Sequence, residues 1–246
     1  GQAMSPNFIR DQVAAFIEEG VDAFAAGLGD PSWVVPQAHA AGIKVFGLAG
    51  TVRNAERQKA AGVDYIITQG YEAGGHTGQV ANFPLIPAVV DTVAPTPVIA
   101  AGGIADGRAV AAALALGAIG VWIGTAFLLA EETAIPDIHQ QEIMKGQTRD
   151  FVITRAYTGK TARDYRNDVV RAWEASGLTA LPMPLQGVLM DDFVAAAFAA
   201  GRDDLTNNAA GQIAGMLSRR RPAREIFQQI VEESEAALER LEALSK

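Results

Sequence analysis

The sequence contains no cysteine, so disulfides, thiolate nucleophiles and cysteine-ligated zinc are all excluded. A chain without thiols fits a reducing cytoplasm, which is the expected location. Aromatic residues make up only 7% of the 246 positions and histidines number three, so a catalytic imidazole has few places to stand. Basic charge is also sparse: 20 Lys and Arg against 28 Asp and Glu leave a net charge of −8. The densest basic spot, "RRR" at 219–221, reads as a solvated helix end. Nucleic acid is therefore not an expected partner. The longest apolar stretch, "AVAAALALGAIGVWIGTAFLLA" at 109–130, is broken by three glycines. It reads as helix, turn and strand rather than as a membrane span. The opening "GQAM" has neither the basic nor the apolar region of a signal peptide, so none is expected.

What is present is a repeating grammar over the first 130 residues. Ile9, Val13, Phe16 and Ile17 fall at helical spacing before Gly20. The apolar run "VDAFAAG" (21–27) and the loop "LGDPS" (28–32) follow. Helical and strand-like segments then alternate: helix 33–42, strand 44–50, helix 52–61, strand 63–69, helix 85–93, strand 97–103, helix 107–117 and strand 120–124. The strand-like runs are continuously apolar, as expected where both faces are covered. Strands alternating with helices imply a parallel sheet joined by right-handed crossovers.

Two parallel architectures fit, an open doubly wound sheet and a (β/α)8 barrel of the TIM type. No G-x-G-x-x-G follows the first strand, which weakens the open sheet. Glycines cluster after the third, fourth and fifth strands, at the strand ends where barrel active sites are built. The expected fold is thus a TIM-type (β/α)8 barrel. Residues 1–130 form its partial β/α portion, and 131–246 form a mostly helical C-terminal region packed on it. Within the latter, 131–146 reads as helical, 150–159 as extended, and "KTARDYRNDVVRAWEASG" (160–177) as a helix entering a loop. "LPMPLQG" (181–187) reads as a proline-punctuated connection, and 221–244 as an amphipathic surface helix behind Pro222.

Chemistry concentrates in the glycine loops. "AAGGIADG" (100–107) sets Gly102 and Gly103 at a strand end, with Asp106 placed to cap the next helix. "WIGTAF" (122–127) repeats the device with Gly124 and Thr125. Two consecutive glycine turns match the phosphate site after a barrel's last two strands. "YEAGGHTG" (71–78) carries His76 seven residues beyond Gln69, in a loop whose glycines admit close approach of a ligand. An imidazole there can exchange protons near neutral pH. Glu72 reads as an exposed loop carboxylate, and His39 and His139 as packed or surface residues on helices.

The segments "QGYEAGGHTG" (69–78), "PVIAAGGIADGRAVAAALALGAIGVWIGTAF" (97–127), "TRAYTGKTARDYRN" (154–167) and "NNAAGQIAGML" (207–217) together resemble the nitronate monooxygenases, once called 2-nitropropane dioxygenases. The flavin-dependent enoyl-acyl-carrier-protein reductases carry a similar histidine loop, and "RAYTGKTARDYRN" leans toward the nitronate enzymes. The resemblance implies an FMN-dependent oxidation of alkyl nitronates by O2 to a carbonyl compound and nitrite. It makes His76 the active-site histidine. Gln69, Gly74 and Gly75 become FMN contacts, and Gly102, Gly103, Trp122, Ile123, Gly124 and Thr125 its phosphate-binding stretch. Three readings follow: the nitronate oxidation, a flavin- and NAD(P)H-dependent enoyl reductase, and a non-catalytic flavin-binding remnant.

Relatives of this kind begin with three further βα units. Only 20 residues precede the first strand-like run here, too few to supply them. The expectation is an N-terminally shortened barrel, with completion by another polypeptide or substitution by the 150–156 segment as its rivals. Open strand edges on such a sheet invite association with a second copy.

Overall fold

The computed structural model describes residues 6–27 and 29–244. The opening "GQAM", Leu28 of the 28–32 loop and the last two positions of the C-terminal region lie outside the described residues.

Strands β1 (Ala23–Ala26), β2 (Lys44–Ala49) and β3 (Tyr65–Gln69) are followed by a two-residue strand, β4 (Gly75–His76), and then by β5 (Val98–Ala101) and β6 (Gly120–Trp122). All but β4 form one parallel sheet in the order β1-β2-β3-β5-β6. Strands successive in that sheet are spatial neighbours throughout, as a barrel wall requires, and the barrel is not closed among the described residues. Crossovers run through α2 (Val35–Ala40), α3 (Val52–Ala60), α4 (Asn82–Val93) and α5 (Gly107–Ala115), while α1 (Pro6–Glu18) precedes β1. In the central strand β3, Ile66 and Ile67 are fully buried, each worth roughly 1.5–3 kcal/mol of burial. Strand β1, which pairs only with β2 among the described residues, instead alternates exposed and half-buried positions, so one of its two faces is left open. The same edge explains α1. Val13 is buried and Ile17 packs on the core, whereas Ile9 and Phe16 of the same apolar set stay exposed.

Local chemistry sets where the crossover helices begin. The Thr51 hydroxyl accepts from the Asn54 amide at 3.1 Å and starts α3. Asp106 accepts from the amides of Arg108 and Ala109 and starts α5, as the sequence indicates. The core lies between the helices and the sheet, with Val45, Ile66, Leu85, Val89 and Val93 at its centre.

Residues 131–244 add α6 (Asp137–Lys145), strands β7 (Phe151–Thr154) and β8 (Ala162–Tyr165), α7 (Asp168–Ser176), α8 (Leu185–Ala199) and α9 (Ala223–Leu244). The start of the segment read as helix from 160 is in fact β8; only from Asp168 does the chain turn helical, capped by Asn167. Strand pairing with β7 overrides local propensity there. Likewise α8 absorbs the end of the proline-rich connection. The 150–156 segment does not join the parallel sheet. It forms an antiparallel hairpin, and the hairpin's β8 pairs with β4. The basic triplet 219–221 precedes α9 rather than ending a helix. Arg219 pairs with Glu225 and Arg220 with Asp137. No helix among the described residues is long and apolar enough to cross a membrane.

Candidate active site

Two cavities open at the C-terminal ends of the parallel strands and share Leu48 and Gln69 as a common wall. The smaller, about 240 Å³, is lined by Gln69, Gly74, Gly102, Gly103, Trp122, Ile123, Gly124 and Thr125. These are eight of the ten residues singled out in the sequence. The larger, about 330 Å³, contains His76 and reaches Gly50, Thr51, Asn54, Arg57 and Lys160. Gly75 lines neither. Its positive φ (67°) turns the chain into β4, so its place is in the backbone path that delivers His76.

The smaller cavity has the properties of an anion cradle. Gly102 and Gly103 take positive φ values of 89° and 73°, a conformation that only glycine adopts without strain. Among the described residues, the amides of Gly102, Gly103, Gly124 and Thr125 donate to no backbone carbonyl. A Cβ built on Gly124 meets nothing within 4 Å, so the open space beside that turn is room for a ligand. The donor set and the space fit a phosphate held by main-chain N–H groups. The Thr125 hydroxyl accepts from the Gly211 amide at 2.9 Å, which ties this turn to the 207–217 segment. Ala209 and Ile213 of that segment complete the lining. Sequence reasoning gave those two positions no role. The only signal was that their segment belonged to the family pattern.

Long-range bonds hold the histidine loop. The His76 Nε2 lies 3.0 Å from the Thr158 hydroxyl at the tip of the β7–β8 hairpin. That hydroxyl donates to the Lys160 carbonyl at 3.2 Å and accepts from the Lys160 amide at 3.3 Å. Nε2 is thus the ring nitrogen that Thr158 engages; in the tautomer that carries its proton there, Nδ1 is free to take a proton. Burial, with a lesser contribution from the Lys160 charge, holds the His76 pKa below the usual histidine value, so the neutral ring is favoured near neutral pH. Arg163, 2% exposed, donates to the carbonyls of Tyr71 (2.8 Å) and Phe151 (2.8 Å) and lies over the Tyr71 ring at 4.6 Å. It thereby clamps the start of the loop to the hairpin. Nothing in the local sequence of 71–78 indicated either partner.

Glu72 corrects its sequence reading. It is half-buried, and both carboxylate oxygens accept from the Asn82 amide at 3.1 Å, capping α4. Asn82 in turn donates to the carbonyls of Ala101 and Gly102, binding the loop to the first glycine turn. His39 pairs with Asp64 at 2.9 Å on the surface, and buried His139 lies 2.9 Å from the Asp203 carbonyl. Neither lines the two cavities. Among the described residues, no cluster of side chains has the composition of a metal site.

A barrel-type parallel sheet whose last two strands end in unspent glycine amides, beside a cleft lined by one imidazole, is an α/β barrel arrangement that fits a phosphate-bearing ligand. The comparisons narrow that class. The family model for nitronate monooxygenase matches residues 3–233, and the chain belongs to that family of flavin-dependent oxidoreductases. A Mycobacterium tuberculosis protein named "Putative monooxygenase Rv1533" is 41% identical over 241 residues, covering 95% of this chain and 64% of that protein. This chain thus spans somewhat less than two thirds of that relative's length. FabK from Thermotoga maritima superposes with a TM-score of 0.87 at 33% identity, covering 98% of this chain and 76% of its own. A nitroalkane oxidase from Streptomyces ansochromogenes gives a TM-score of 0.86 at 29% identity, covering 96% and 70% respectively.

Proposed function

We propose that this chain carries the FMN site and the active-site histidine of an enzyme that oxidises alkyl nitronates with O2, yielding a carbonyl compound and nitrite. One observation carries the reading: two glycine turns with unspent amides and a histidine of low basicity converge on adjoining cavities separated by Gln69. The amides of Gly102, Gly103, Gly124 and Thr125 would hold the cofactor phosphate. The Gln69 side chain would face the flavin from the wall between the cavities. When bound, the flavin supplies the acceptor for substrate electrons and passes them to O2.

The protein's own contribution is to bind, orient and move one proton. A nitronate arrives already deprotonated and asks no proton transfer of His76. A neutral nitroalkane must first lose its α-proton, and Nδ1 of His76 is the acceptor that the Thr158 contact leaves available. Replacing His76 with Asn should therefore lower turnover on a neutral nitroalkane by about 10²-fold, with a much smaller loss on the matching nitronate. Equal losses on both would remove the proton-transfer role.

The likeness to FabK favours one second reading, a flavin-dependent reductase of enoyl thioesters that draws on NAD(P)H. Anaerobic mixing separates the two. Bleaching of the flavin by a nitronate, with NAD(P)H inert, supports nitronate oxidation. Bleaching by NAD(P)H alone supports the reductase.

A further inference from the structure

The His76 cleft contains a cation with no ion-pair partner among the described residues. Lys160 is half-buried at the hairpin tip and lines the cleft with His76 and Gln69. The other described lysines have partners: Lys44 bonds Asp64 at 2.9 Å, Lys59 the Ala94 carbonyl at 2.8 Å and Lys145 the Gln141 side chain at 3.4 Å. Among the described residues, the Lys160 ammonium contacts no carboxylate or carbonyl within bonding distance. Burial pulls its pKa down with no opposing charge to restore it. An unpaired, partly desolvated ammonium is costly, and a ligand anion would relieve that cost.

The position is also rigid. The backbone amide and carbonyl of Lys160 are both bonded to the Thr158 hydroxyl. The Gly159 amide donates to the Arg155 carbonyl at 2.9 Å, and a Cβ on Gly159 would strike the Leu181 carbonyl. The tip therefore cannot swing Lys160 away without breaking the His76 contact. A second cation, Arg57, also lines the cleft. Among the described residues the one carboxylate lining it is Asp30, which accepts from the Ser32 amide at 3.0 Å and lies near Arg57. The cleft thus has an excess of positive charge, although the chain as a whole is acidic.

We propose that Lys160 is an anion anchor, binding a carboxylate or phosphate that the ligand carries in addition to its reacting group. This rests on the reading of the His76 cleft as the substrate site, and it narrows the substrates from simple nitroalkanes to acidic ones. An uncharged alkyl chain would leave the ammonium desolvated and unpaired, whereas an anionic arm forms a charge-assisted hydrogen bond.

Isothermal titration calorimetry of the purified chain with FMN added tests it without any turnover. The probes are 4-nitrobutanoate and its uncharged counterpart 1-nitropentane, with NADPH and NADH as a second arm. The acid should bind about tenfold or more tightly than the alkane. Lys160→Met should erase that preference, and Lys160→Arg should keep most of it. If the preference in the unaltered protein is instead for NADPH over NADH and vanishes in Lys160→Met, the anion is a nucleotide phosphate. Either pattern supports the anchor. Absence of any anion preference in the unaltered protein, or its persistence in Lys160→Met, overturns it. Because heat of binding is read, the anchor stands or falls by this titration even in a protein that oxidises no nitronate.

Discussion

Replacing Asp164 with Asn should stabilise this protein, and only above acid pH. Asp164 sits on β8 at 3% exposure, and its Oδ1 has no hydrogen-bond partner. Burial pushes its carboxyl from 3.8 up to about 6. A carboxyl raised in the folded state is a group whose charge the fold resists. Well below 3.8 it is protonated whether the chain is folded or not, and it contributes nothing to pH dependence. Between pH 4 and 6 the unfolded chain ionises first, so stability falls as pH rises. Above 6 the full penalty stands, about 3 kcal/mol at roughly 1.4 kcal/mol per tenfold. Asn keeps the shape and never ionises. Urea unfolding of both proteins at pH 4, 5, 6 and 7.5 and constant salt should show a small difference, about 0.5 kcal/mol, at the acid end. It should grow to about 3 kcal/mol in favour of the variant at pH 7.5, equivalent to roughly 6–12 °C in melting temperature for a chain of this size. Half-buried Glu142, pushed up to about 7 chiefly by burial, adds its own pH dependence to both proteins and cancels in the difference. A difference that is flat with pH, or a native protein that is the more stable at pH 7.5, would refute the reasoning, since it would mean that the carboxylate is satisfied where it lies.

Two further substitutions separate ligand binding from folding. Gly124→Val adds a side chain where nothing stands within 4 Å and φ is negative, so the melting temperature should hold while FMN affinity falls at least tenfold; unchanged FMN affinity by fluorescence titration would mean that this turn does not cradle the ligand. Gly103→Val should lose both, because its φ is positive and the new Cβ lies 3.2 Å from that of Glu72. Arg163→Met removes the donor to the Tyr71 and Phe151 carbonyls and should cost about 3 kcal/mol in urea unfolding. Amide exchange over 71–78 should accelerate with it, and unchanged exchange would show that the clamp does not hold the loop.

The readable part of the site was the part made by consecutive residues. Gly102 and Gly103, Gly124 and Thr125, and the caps Thr51 and Asp106 act through backbone and side-chain atoms a few positions apart, so their spacing in the sequence already carries their geometry. The same holds for the alternation of apolar runs and amphipathic helices that announced a parallel barrel wall. The order of the strands followed as well, because short right-handed crossovers leave few choices.

Other features depended on contacts that no local pattern encodes. The bond from Thr158 to His76 spans 82 positions, and that from Arg163 to the Tyr71 carbonyl spans 92. Ala162–Tyr165 became a strand only because β7 and β4 offered it partners on both sides. Glu72 became a helix cap only because the fold returned Asn82 to it. By itself the sequence determined the barrel wall, its glycine turns and the presence of a histidine loop, since these rest on short-range sterics and periodic burial. The tertiary structure alone decided which nitrogen of that histidine is free, which cation faces it and which buried acid resists its charge. Those properties arise from distances and desolvation between segments far apart in the chain.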